Sequence, residues 1–136
     1  VSISGLAMDR PSELVVQSII RARFLETLGK LQGKVDRTEE LFMMGMFSLI
    51  DVILGRPLKE ILTEVSVSQE VAAALLGEPS AFRRLYECAL TYEAGKWDSF
   101  AEEAKSISLD EPAVAQAFVE SVEWGNKAFK LGAADE

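Results

Sequence analysis

The chain has 136 residues, 49% of them hydrophobic and 26% charged, with a formal charge of −8 and no histidine. That length and apolar content suffice for one globular domain with its own core, and the acidic balance argues against nucleic acid or an anionic membrane surface as a partner. Without histidine, no Ser-His-Asp or Cys-His nucleophile can be assembled, and a catalytic zinc site would have to draw on one cysteine and carboxylates.

Helix signals recur along the chain and strand signals are nearly absent. The expected fold is all-α, a multi-helix bundle of about seven helices forming a single domain over residues 1–136. The first residue is Val1, not Met, which suggests a processed product or a fragment of something longer. Val1 to Met8 carry neither a basic leader nor a long apolar run, so no signal peptide is read there. Pro11 suits the first turn of a helix running to about Leu31, with Glu13 near its positive end. Gly29 and Gly33 then break the chain. Asp36 or Thr38 can cap the next helix, with Glu39 and Glu40 in its first turn.

From Leu41 to Leu54 only Ser48 and Asp51 are polar. A helix that is apolar all round is buried on every side, and this one is too short for a bilayer, which takes about 20 apolar residues. It is therefore expected to be the central helix, ending at Gly55 with Arg56-Pro57 as punctuation. Pro57 opens a short helix from about Leu58 to Glu64. Ser66 or Ser68 caps another, about Gln69 to Leu76, which Gly77 terminates. Pro79 starts a helix whose face carries Phe82, Leu85, Tyr86, Ala89 and Leu90, closed by Gly95. Trp97 to about Ile107 is a shorter helix. Asp110 caps the last, which has Pro112 in its first turn and Val114, Ala115, Phe118, Val122 and Trp124 along it; Gly132 to Glu136 are expected to fray. The two long helices near the N-terminus and the last one should build the core.

Several residues have both a functional and a structural reading. Asp51 sits in the apolar run, where a lone charge is costly unless paired. It is either a functional carboxylate or a buried tie to a backbone N–H or to one of Arg21, Arg23, Arg56, Arg83 and Arg84. Arg21 and Arg23 are two apart on a helix and point about 200° apart, so they cannot grip one phosphate; one should face the core and the other solvent. Arg83 and Arg84 lie on a first turn, where they could make half of an anion site or simply a solvated, ion-paired face. Met43, Met44 and Met46 read as core or as an adaptable binding face. Trp97 and Trp124 read as packed residues or as anchors for a partner surface. Cys88, the only cysteine, excludes an internal disulfide, reads as a small buried hydrophobe, and fits a reducing, cytoplasmic setting.

Taken in order, Arg21-Ala22-Arg23-Phe24, the block from Glu40-Leu41-Phe42 to Leu54-Gly55-Arg56-Pro57-Leu58, Val71-Ala72-Ala73-Ala74-Leu75-Leu76-Gly77, Tyr92-Glu93-Ala94-Gly95-Lys96-Trp97 and Glu120-Ser121-Val122-Glu123-Trp124 resemble the HDOD family, the HD-related output domains of bacterial signalling proteins. The resemblance is greatest to HDOD domains that follow an EAL domain, the cyclic-di-GMP phosphodiesterase module. It implies an HD-superfamily-like helical bundle that has lost its first helices. It also implies a non-catalytic output role with no cofactor and no metal, since the His/Asp site of HD enzymes has no counterpart here. The partner it implies is a protein or the neighbouring EAL domain, with a homo-oligomer as an option and neither nucleic acid nor membrane. Two other functions stand beside this one: a nucleotide-sensing helical domain using Arg83 and Arg84, and a degenerate HD-type phosphohydrolase.

Overall fold

A computed structural model describes residues 2–134, with side-chain surroundings for residues 12–132. All regular structure among the described residues is helical. The helices are α1 (Ser2–Leu31), α2 (Thr38–Phe47), α3 (Ile50–Leu54), α4 (Leu58–Glu64), α5 (Gln69–Leu75), α6 (Arg83–Glu93), α7 (Trp97–Ser106) and α8 (Glu111–Ala134), with a 3-10 turn at Val35–Arg37. Counting the interrupted pair α2–α3 as one element gives the seven helices expected.

The central element is α1, not the apolar run. Ala22, Phe24, Leu25 and Leu28 have no exposure at all, and Ser18 and Arg21 are buried with them. Helices α2, α6 and α8 pack around α1. The shared core adds Leu41 and Met44 from α2, Val71 and Ala74 from α5, Leu85, Cys88 and Ala89 from α6, Phe100 and Ala104 from α7, and Val114 and Ala117 from α8. Sequence patterning hid this because Ser18 and Arg21 interrupt the buried stripe with polar atoms. Ser18 satisfies its hydroxyl by donating to the Leu14 carbonyl at 3.0 Å.

The Leu41–Leu54 run is not buried on every side. Met43, Val52 and Leu54 are 43%, 58% and 53% exposed, and α3 has no buried residue. The helix breaks at Ser48-Leu49. There the Ser48 N–H and hydroxyl both turn back to the Gly45 carbonyl, at 3.2 and 2.7 Å. The regular helix is therefore interrupted between the two halves of the run. Gly45 explains the burial of the first half: a Cβ there would overlap the backbone of Ala22, so the two helices approach at van der Waals distance. Gly29 is likewise inside α1 and not a break, because the Leu41 side chain occupies the space a Cβ would need.

Most of the predicted punctuation is present. Gly55 ends α3 at φ +66°, Gly77 and Gly95 also have positive φ, and the Ser68 side chain accepts from the Val71 N–H at 3.2 Å. Asp110 accepts from the Ala113 N–H at 3.2 Å. Other boundaries differ. Helix α1 starts at Ser2, so Pro11 lies within it and Glu13 is beyond its first turn. A proline inside a helix removes one hydrogen bond and crowds the preceding turn, which weakens α1 there but does not end it. Neither Asp36 nor Thr38 caps α2; the 3-10 turn leads directly into it, and the Thr38 hydroxyl donates back to the Val35 carbonyl. Helix α6 begins at Arg83, four residues after Pro79, because the Ser80 hydroxyl accepts from the Phe82 N–H and holds that stretch as a turn. Helix α8 continues through Gly132 to Ala134; the fraying expected at Asp135 and Glu136 lies outside the described residues.

Candidate functional site

The most organised polar constellation is built around Arg21. It projects from the middle of α1, where the only partners available are those the neighbouring helices supply. Its Nε donates to both carboxylate oxygens of Glu93, at 3.2 and 3.0 Å, and its Nη2 donates to Glu93 Oε1 at 2.8 Å. Its Nη1 donates to the Ser48 hydroxyl at 3.1 Å. One guanidinium thus ties α1 to the end of α6 and to the break between α2 and α3. The two side chains are 8% and 11% exposed. Burial alone would lower the Arg21 pKa, but the hydrogen bonds and charge of Glu93 outweigh it and hold Arg21 above its ordinary value. Tyr86 stands beside this pair, and burial pushes its phenol above the usual range against the opposing pull of Arg21.

The pair forms the floor of an open groove of about 410 Å³ between α1 and α6, which also presents Gln17, Thr91, Lys96 and Glu87. Its charges cancel: Arg21 is taken by Glu93, and Glu87 is held by Arg83. Among the described residues lining the groove only Lys96 offers an uncommitted charge, too little to hold a phosphate. No group of three or more His, Cys, Asp or Glu positioned for a metal exists among the described residues.

The other predicted residues are scattered, not convergent. Arg21 faces the core as one of its pair was expected to, and Arg23 faces outward. Arg23 donates to Glu26 at 3.0 Å and lies 4.9 Å from the centroid of the Trp124 ring, which itself packs edge-on against Phe42. Trp124 is therefore a packed, half-buried residue. Trp97 is not core: it is 58% exposed at the start of α7, resting edge-on against Tyr92 and Phe100. Position explains this, since the first residue of α7 projects past the end of α6 and has core on one side only.

Asp51 is not a buried carboxylate. It is half-exposed at the start of α3, and no side-chain hydrogen bond or ion pair reaches it among the described residues; each arginine offered as a partner is elsewhere. Arg56 binds Glu60 and Glu64 at 2.6 and 3.0 Å. Arg83 donates to the Ala74 carbonyl at 2.6 Å and pairs with Glu87, while Arg84 is exposed, so the two do not converge on an anion. Of Met43, Met44 and Met46 only Met44 is buried. Cys88 is fully buried, and burial, with the Glu103 charge, pushes its thiol up to about 11.

Sequence reasoning missed Glu93, Ser48 and Tyr86 as partners of Arg21. The available signal was the buried stripe Ser18, Arg21, Ala22, Leu25 and Leu28, whose helical spacing puts an arginine among apolar residues and so demands a carboxylate.

No family model matches the chain, and no solved structure matches it significantly. Two proteins are similar to it over most of its length. An uncharacterised Bacillus subtilis protein, YuxH, is 31% identical over 112 residues, which are 82% of this chain and 27% of YuxH. The cyclic di-GMP phosphodiesterase CdgJ of Vibrio cholerae is 22% identical over 128 residues, which are 94% of this chain and 30% of CdgJ. The chain is a distant relative of both. It spans less than a third of the length of either relative. No single helix among the described residues is long and apolar enough to cross a membrane.

Proposed function

We propose that this chain is a non-catalytic regulatory module of cyclic-di-GMP signalling, of the HDOD kind, acting in the cytoplasm through protein–protein or interdomain contact. On this reading it adjoins an EAL phosphodiesterase module and passes a regulatory state to it or from it. The observation that carries the proposal is the match to CdgJ. Nearly all of this chain aligns with less than a third of a protein named for cyclic-di-GMP hydrolysis, and this chain contains no histidine with which to build the metal site of an HD enzyme. The Arg21–Glu93–Ser48 junction supports it in kind. A contact that ties three elements through one guanidinium can transmit a shift of any one of them, provided a partner favours one packing over another.

The test compares cyclic-di-GMP hydrolysis by the native polypeptide that carries this chain, by the same polypeptide without residues 1–136, and by the chain alone. The chain alone is expected to show no turnover with magnesium or manganese. Removing it is expected to change the native rate by about fivefold or more, the low end of ordinary coupling energies. Turnover by the chain alone that chelation abolishes would overturn the reading in favour of a phosphohydrolase. An unchanged native rate would remove the regulatory role.

A further inference from the structure

Separate from the Arg21 groove, the rings of Tyr92, Trp97 and Phe100 line an open cleft of about 370 Å³ together with Glu111, Pro112 and Ala115. The three rings are mutually edge-to-face, with centroids 5.3, 5.1 and 6.4 Å apart and interplanar angles of 71°, 71° and 81°. This packing fixes the aromatic floor, yet Trp97 remains 58% exposed. Tryptophan left open in this way is a residue type enriched at partner surfaces.

The same chain shows how it covers aromatic rings elsewhere. Trp124 is covered by Arg23, whose centre lies 4.9 Å from the ring, and Arg23 is paired with Glu26. Phe82 is covered by Arg37 at 4.6 Å, and Arg37 is paired with Glu40 and Glu70. Each is a triple of ring, guanidinium and carboxylate. The Trp97 cleft supplies the ring and the carboxylate, Glu111, but no cation among the described residues lines it. Lys96, next to Trp97 in sequence, lines the Arg21 groove instead. The neighbouring sequence adds to the negative charge, with Asp98, Glu102, Glu103, Asp110 and Glu111 against one Lys105.

We propose that this cleft docks an arginine side chain of a partner protein, its guanidinium stacked on Trp97 and paired with Glu111. The proposal rests on the chain being a protein-contact module and names the surface and the partner's chemistry. Arginine fits better than lysine because a planar guanidinium can stack on an indole and fork onto a carboxylate at once. Tryptophan, tyrosine and arginine are also the residues that dominate interface energetics. An acidic chain selects a basic protein segment and disfavours a nucleic acid or an anionic lipid surface.

The test follows the two indole N–H signals of the full chain by nuclear magnetic resonance during titration. The probes are acetyl-Gly-Arg-Gly-amide, its citrulline counterpart and free L-arginine. The arginine peptide is expected to move the Trp97 signal saturably and leave the Trp124 signal in place, the latter also reporting that the fold is intact. Replacing arginine by citrulline, or Glu111→Gln in the chain, is expected to weaken binding by about threefold or more. An unmoved Trp97 signal, or equal binding of the citrulline peptide, overturns the proposal. Free arginine carries the same guanidinium and is expected to move the Trp97 signal as well; free arginine binding at least tenfold tighter than the peptide overturns the proposal in favour of a small-molecule site. The hydrolysis comparison described above reads the regulatory role independently. If that role holds while Trp97 does not respond, the cleft assignment fails alone.

Discussion

At the scale of single residues, the consequential decision is what to do with the charge of Arg21. A buried guanidinium is tolerable only while its partner is present, because removing one member strands the other in a medium that solvates it poorly. Glu93→Ala is therefore expected to cost about 3 kcal/mol in urea unfolding. The double variant Arg21→Met with Glu93→Leu should recover most of that loss, since it removes the stranded charge along with the pair. Cys88 gives a second expectation. Its buried thiol, pushed up to about 11, should resist iodoacetamide in the native protein at pH 8 and react fully in denaturant; rapid native labelling would contradict its placement. Glu40 gives a third. Its carboxyl is held below the ordinary range chiefly by the Arg37 hydrogen bond. A carboxylate with a depressed folded pKa contributes stability above its unfolded pKa of about 4.3 and loses it as pH falls through the lower folded value. Glu40→Gln should accordingly lower stability at neutral pH, leave it nearly unchanged below the folded pKa, and so flatten the acid side of a stability–pH profile. The opposed directions of Arg21 and Arg23 were legible from helix geometry alone. Glu93 was not, because it is 72 residues away and only the packing of α6 on α1 brings it there.

At the scale of elements, the stops and starts were the readable part. Gly55, Gly77, Gly95, Ser68 and Asp110 act where their chemistry places them, since a left-handed residue or a capping oxygen is a local matter settled within a turn. Closeness between helices is not local, and Gly29 shows the difference: the same residue type that ends a helix elsewhere sits inside α1 because Leu41 needs the room. Gly45 makes the stronger case. Its missing Cβ is what lets α2 lie against the backbone of Ala22, so Gly45→Ala should destabilise the protein by about 2 kcal/mol despite alanine's better helix propensity. Gly55→Ala, with φ at +66° but open space around the Cβ, should cost only about 1 kcal/mol through backbone strain. The order of the two losses in parallel chemical denaturation is the check. A larger loss at Gly55 would mean that α1 and α2 can separate at little expense.

At the scale of the whole molecule, hydropathy misjudged which helix is the centre. The Leu41–Leu54 run has the more apolar sequence, yet burial follows from the number of neighbours that can surround an element, and α1 is the one flanked by α2, α6 and α8. The consequence is an apolar run with one half in the core and the other at the surface. Leu41 is fully buried, whereas Val52 and Leu54, thirteen residues or fewer further on, are mostly exposed. Substitutions should separate the two halves. Leu41→Ala should cost about 3 kcal/mol of stability, because it removes core methyl groups and leaves a cavity. The pair Val52→Glu and Leu54→Glu should stay within about 1 kcal/mol of the parent, since neither residue has core contacts to lose. That charged pair should nonetheless lower self-association in sedimentation at high protein concentration, because it removes exposed apolar surface. A large stability loss from the charged pair would mean that α3 packs inward in solution, and the run would then be the buried centre that its composition implies.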